Sequence, residues 1–218
     1  TNPGILDTYS NTEKILMHLI EEKDLNRMLD KDHFMVLMNY CALSESQILI
    51  NEFMQTKAST VEKIRAMTEV KIHLHDVFDL HPQGVQHKLD LHEHLKFRNI
   101  SLDGVQFNST TPLEVNQKQI EDDGPYDLVY VNLPWKLEQS PNTVEMVISE
   151  TIKLWWWALE EGGVMLIPDY NKANIRRSTD AWIKAKNCNT EKYYNTNWDR
   201  TDLEEDHFMI ALQKNGEI

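Results

Sequence analysis

The chain has 218 residues, of which 41% are hydrophobic, 22 basic and 35 acidic, for a formal charge of −13. That length supports one large α/β domain and is short for two. The acidic balance disfavours a broad phosphate-binding surface, and with it a long nucleic acid as partner. Apolar runs stop well short of the roughly 20 residues that a membrane helix needs, and no basic flank leads into a hydrophobic core at the N-terminus. A soluble, cytoplasmic protein is expected, with its oligomeric state open. Cys41 and Cys188 are too few for a disulfide framework and read as free thiols.

In chain order, Asn11 is a capping residue ahead of Ile15, Leu16, Leu19 and Ile20 at helical spacing. Residues 1–32 are therefore predicted as an N-terminal helical cover, and 33–218 as the α/β domain proper. His33 to Asn39 reads as the first inner strand, and Ser44 as the N-cap of a helix through Ile48, Leu49, Ile50, Phe53 and Met54. The intervening turn can offer backbone N–H groups and a helix dipole to a polar or anionic ligand. Glu69 to Asp76 alternates as a second strand that ends on an acid. A weakly amphipathic helix over 85–97 follows, then a short strand over Gly104 to Asn108, and a helix after Pro112.

Tyr126 to Asn132 and Val164 to Ile167 are short apolar runs with the character of doubly buried strands. Following Pro141-Asn-Thr, a helix carrying Val144, Val147, Ile148 and Ile152 runs to Glu161 between them and is predicted to end at Gly162-Gly163 in the left-handed conformation. Strand, helix, strand is the unit of a parallel sheet. A further helix over Ala173 to Lys186 and strands around Tyr193 and around Phe208 to Leu212 complete the pattern. The fold class predicted is α/β: a Rossmann-like, doubly wound, mostly parallel seven-stranded sheet with helices on both faces. In such sheets ligands bind in the crevice beyond the carboxyl ends of the strands. Asn132, Pro134, Trp135, Asp169 and Tyr170 would line it, and Asp76 is the candidate acceptor for ribose hydroxyls.

Four stretches, in order, resemble the class I S-adenosylmethionine-dependent methyltransferases, and within them the macrolide and sugar O-methyltransferase group. Met35-Val-Leu-Met-Asn-Tyr-Cys-Ala-Leu-Ser44 is similar to the strand and turn that wrap the amino-acid end of the cofactor. Lys71-Ile-His-Leu-His-Asp-Val-Phe-Asp79 is similar to the strand that ends on the ribose-binding acid. Gly104 to Val115 is similar to the third strand and its adenine-side turn. The most specific match joins Asp127-Leu-Val-Tyr-Val-Asn132 to Leu154-Trp-Trp-Trp-Ala-Leu-Glu-Glu-Gly-Gly-Val-Met-Leu-Ile-Pro-Asp-Tyr170.

The resemblance implies S-adenosylmethionine as cofactor, held by Asn39, Tyr40, Cys41, Ala42, Ser44, Asp76, Thr110 and Thr111. It implies methyl transfer to a hydroxyl or amine of a small-molecule acceptor. Asp169 and Asn132 would take the catalytic roles, with Pro134, Trp135 and Tyr170 on the substrate side. In metal-dependent members three acids hold a divalent ion. Here those positions are Asn132, Pro168 and Asp169, so a Mg²⁺ site would rest on Asp169 and Asn132.

Other departures lie in the first turn, where Met38 and Ala42 replace glycines, and in the first strand, where Val36 replaces an acid. Glycine there admits a close backbone approach to the ligand. These changes also fit a catalytically inactive methyltransferase-like domain that serves in binding or assembly. Asn132-Leu-Pro-Trp135 additionally resembles the loop of N6-adenine methyltransferases, in which the aromatic ring stacks on a flipped base. His73 and His75 share one strand face and read as a polar face or as buried, hydrogen-bonded imidazoles. Trp155, Trp156 and Trp157 cannot all face one side of a helix, so at least one is expected in the core and another in a pocket or interface.

Overall fold

Strands rich in Val, Ile, Leu and aromatic residues pair wherever both of their faces are covered. The computed structural model describes residues 33–39, 46, 47, 50, 69–76, 78–99, 102–109, 124–133, 140–194 and 207–215. Within them the element order is β1 (His33–Asn39), β2 (Glu69–Asp76), α1 (Pro82–Phe97), a 3₁₀ turn (Leu102–Gly104), β3 (Val105–Ser109), β4 (Tyr126–Val131), α2 (Pro141–Ala158), β5 (Leu159–Pro168), α3 (Ala173–Lys186), β6 (Asn189–Tyr194) and β7 (His207–Gln213). The cover expected over 1–32 and the helix expected after Pro112 lie outside the described residues. Ser46, Gln47 and Ile50 are helical, as the reading of the segment after Ser44 expects.

The strands form one seven-stranded sheet in the order β3-β2-β1-β4-β5-β7-β6. β1 pairs in parallel with β2 and with β4, β2 with β3, and β4 with β5. β7 runs antiparallel to both β5 and β6. The order reverses between β1 and β4, and this switch point is where a doubly wound sheet opens a crevice. This is the Rossmann-like α/β architecture that the sequence predicts.

Alternation along each strand divides the side chains between two helical layers. Met35, Leu37, Val129, Val131, Met165, Ile167, Ile210 and Leu212 face α2 and α3, where they meet Val144, Ile148, Ile152, Trp155 and Ile175 in one buried cluster. On the opposite face Phe107 of β3 stacks with Phe78 and with His92 of α1, so α1 covers the other side. At full burial each large apolar side chain contributes about 1.5–3 kcal/mol, so these two layers hold the sheet together.

Several boundaries differ from expectation, among them the end of α2 and the starts of β3 and β5. α2 ends at Ala158, with Leu159 already extended at its C-cap. Gly162 does adopt a left-handed φ of 80°, but within β5. There the β4–β5 register jumps from Tyr126↔Leu159 to Leu128↔Val164, so the glycine pair serves a bulge rather than a helix end. A Cβ on Gly163 would lie 2.8 Å from the Glu160 carbonyl oxygen and 3.0 Å from that of Asp127. The third strand starts one residue late, because Gly104 belongs to the 3₁₀ turn.

Candidate functional site

β1, β2, β3, β4 and β5 are mutually parallel, so their carboxyl ends share one rim of the sheet. Following the strand order, the rim carries Ser109 at the end of β3, Asp76 on β2, Asn39 on β1, Asn132 just past β4 and Asp169 just past β5. Asp76 aligns with Ser109, and Asn39 with Val131, in the ladder. The structure thus brings Asn39, Asp76, Asn132 and Asp169 to one edge. Tyr40, Cys41, Ala42, Ser44, Thr110, Thr111, Pro134 and Trp135 lie outside the described residues.

Asp76 projects to the α1 side of the sheet, where its Oδ2 lies 3.2 Å from Nδ1 of His87 on α1. The two side chains are only 15% and 14% exposed respectively. α1 itself starts with Pro82 in its first turn, and Nδ1 of His81 accepts the N–H of Gln83 as a cap.

Sequence reasoning overlooked Asp79. It follows β2 by three residues, and its carboxylate accepts the Ser109 hydroxyl at 2.8 Å while its own N–H donates back to Ser109 Oγ at 3.2 Å. Lys88 Nζ approaches the same carboxylate at 3.4 Å. The Ser109 bond, followed by the Lys88 charge, holds the Asp79 carboxyl below the ordinary carboxylate range despite an opposing contribution from desolvation. An acid three residues beyond a strand has no periodic signature, although the Asp-Leu-His-Pro run that opens α1 marks the turn.

Asn132 is half-buried beside the fully covered Leu133. Asp169 adopts a left-handed φ of 59°, a conformation that Asp tolerates better than most residues. Its carbonyl closes a turn by accepting the N–H of Lys172 at 2.9 Å. Tyr170 does not line an open crevice. It is 1% exposed, its hydroxyl donates to Asp180 of α3, and Lys192 sits 5.4 Å above its ring. Burial of the ring anchors the loop after β5 to α3, so a substrate contact through Tyr170 does not suit this geometry.

Met38, which replaces a glycine of the first turn, is 1% exposed and aligns with Leu74 and Tyr130. Its thioether belongs to the packed sheet on the α1 side. Pro168 is likewise buried at the end of β5, opposite Met209. Asn132 and Asp169 are the two oxygen-bearing side chains at the ends of β4 and β5, and among the described residues no group of three His, Cys, Asp or Glu could hold a metal ion. A hard divalent cation gains most from several anionic oxygens, so this pair does not fit a Mg²⁺ site.

His73 and His75 are buried on the α2 side, at 5% and 1% exposure. Nε2 of His75 lies 3.2 Å from Nδ2 of Asn108, and its ring meets Trp155 edge-on at 5.0 Å between centroids. Burial, and secondarily the nearby His73, push the His75 pKa down to about 3. Both imidazoles are buried, as the sequence reading allows, and His75 is hydrogen-bonded through Nε2. Of the three tryptophans, Trp155 is fully buried, Trp156 nearly so at 7%, and Trp157 is 50% exposed. Cys188 is a free thiol, raised by burial above its ordinary pKa.

No protein-family model matches the chain, and no curated protein does. Solved structures do match, at low identity in the examples that follow. A candidate class I S-adenosylmethionine-dependent methyltransferase from Listeria monocytogenes superposes with a TM-score of 0.57 at 14% identity, over 97% of this chain and 63% of that one. The precorrin-6y C5,15-methyltransferase of Geobacter metallireducens gives 0.51 at 13% identity, over 88% and 86%. A candidate rRNA methylase from Clostridium thermocellum gives 0.50 at 13%, over 88% and 97%. The chain therefore has the fold shared by these methyltransferases, and it spans under two thirds of the Listeria protein. Among the described residues no helix is long and apolar enough to cross a membrane.

Proposed function

We propose that the chain is an S-adenosylmethionine-dependent methyltransferase acting on a hydroxyl or amine of a small molecule. The observation that carries this reading is the convergence of Asp76, Asn132 and Asp169 on one rim at the reversal of strand order. The cofactor would supply a methyl group on a sulfonium, and the protein's task is then chiefly to align that carbon with the acceptor.

Asp76 would accept the ribose hydroxyls of the nucleoside, steadied by His87. Asn132, with an amide that both donates and accepts, would orient the acceptor. Asp169, carried at the end of the adjacent strand, would take the acceptor's proton as methyl transfer proceeds. The acidic balance of the chain favours a small acceptor over a long polyanion. The names of the neighbours span both kinds of acceptor.

A second reading, a methyltransferase-like domain that serves in binding or assembly, draws support from Met38 and Pro168, both buried where a cofactor turn and a metal acid would be expected. Calorimetric titration with S-adenosylhomocysteine separates the two. Saturable binding supports the enzyme, and absence of heat at millimolar ligand favours the scaffold. The adenine-methylating reading of Asn132-Leu-Pro-Trp135 fails if a Trp135→Ala variant methylates a nucleic-acid substrate as well as the unaltered protein does.

A further inference from the structure

At the rim opposite the crevice, the carboxyl-terminal halves of α2 and α3 meet the end of β7. Topology fixes this location. α2 ends where β5 begins, α3 ends just before β6 begins, and antiparallel β7 finishes beside the start of β5, with Gly162 N–H donating to the Lys214 carbonyl at 2.7 Å. A pocket of about 390 Å³ opens there, its lining including Trp156, Trp157, Trp182, Lys153, Lys186 and Lys214 together with Glu150. Its volume lies within the roughly 300–1,000 Å³ typical of small-molecule sites.

The lining is unusual for so acidic a chain. Three indoles and three ammonium groups share one small hollow although the net charge is −13. Lys214 is fixed, its Nζ donating to the carbonyls of Trp156 at 3.1 Å and Leu159 at 2.8 Å, so it both caps α2 and holds a positive charge in the pocket wall. Lys186 Nζ rides 5.2 Å above the Trp182 ring, and that ring meets Trp156 edge-on at 6.0 Å. Among the described residues neither Lys153 nor Lys186 has a carboxylate within ion-pair distance. Trp157, half exposed, leaves a large aromatic surface facing water beside these cations.

We propose that this pocket is a second binding site, separate from the crevice, for a small planar aromatic anion such as an aryl carboxylate or sulfonate. The ring packs against the indoles, and the anionic group is taken by Lys153 and Lys186, with Lys214 adding a fixed positive field. Glu150 opposes the same anion, so its removal strengthens binding.

The probe is 1-naphthalenesulfonate, titrated into the full chain by calorimetry and by tryptophan fluorescence. Saturable one-to-one binding that weakens with salt is expected. A Lys153→Ala/Lys186→Ala double variant is expected to lose at least tenfold in affinity, Trp157→Ala to lose severalfold, and Glu150→Gln to gain. Lys153, Lys186, Trp157 and Glu150 are all exposed, so the fold tolerates these changes. Saturating S-adenosylhomocysteine is expected to leave the affinity unchanged. Equal binding of the uncharged 1-naphthalenemethanol, unchanged affinity in the double variant, competition by S-adenosylhomocysteine, or a self-association abolished by Trp157→Ala without probe binding would each overturn the proposal.

Discussion

Nδ1 of His87 stands 3.2 Å from Oδ2 of Asp76, joining α1 to the last residue of β2 at the rim of the sheet. The contact orients the carboxylate that the cofactor reading assigns to the ribose. Asp76→Ala is expected to weaken S-adenosylhomocysteine binding at least about tenfold, or ~1.4 kcal/mol. A loss that appears instead in Asp79→Ala would move the ribose site outward to the loop tied to Ser109.

The backbone N–H of Met35 donates to Oδ2 of Asp127 at 2.7 Å, entirely out of water. This bond joins the beginning of β1 to the beginning of β4, at the end of the sheet away from the crevice. Asp127→Ala strands a buried donor, so urea denaturation is expected to show a loss of about 1.5–3 kcal/mol. A loss below about 0.5 kcal/mol would mean that water or another acceptor replaces the carboxylate.

Burial lowers the His75 pKa from 6.5 to about 3. Between those values the unfolded chain binds a proton that the native chain refuses, so stability falls as pH drops through that window and the loss is complete below it. At 1.36 kcal/mol per pH unit, the loss due to His75 between pH 7 and pH 4 is roughly 3 kcal/mol. A His75→Asn variant is expected to show a correspondingly shallower fall in unfolding free energy over that range. An identical pH dependence in the variant would contradict a neutral, buried imidazole.

Gly163→Ala forces a Cβ to within 2.8 Å of the Glu160 carbonyl, which is backbone and has little room to yield. The bulge must shift, and a cost of about 1–3 kcal/mol follows. Because the bulge lies at the opposite end of β5 from Asp169, S-adenosylhomocysteine affinity is expected to change much less than the melting temperature.

The sheet was legible because its signals are local. Alternation in Glu69–Asp76 and the apolar run of Tyr126–Val131 each act over a few residues. The purpose of Gly162-Gly163 was not legible, since a left-handed glycine looks the same in sequence whether it ends a helix or forms a bulge against β4. The inward turn of Tyr170 toward Asp180 depends on a partner ten residues away on another element, which no spacing rule reveals. The rim acids illustrate both cases. Asp76 ends a strand and was visible, whereas Asp79 acquires its setting from Ser109, thirty residues on.

The most direct test of the account is calorimetric titration of the intact chain with S-adenosylhomocysteine, repeated with Asp76→Ala. Saturable one-to-one binding with a Kd at or below about 100 μM, weakened at least tenfold by the substitution, is expected. Absence of binding at millimolar ligand, or equal affinity in the two proteins, would contradict it.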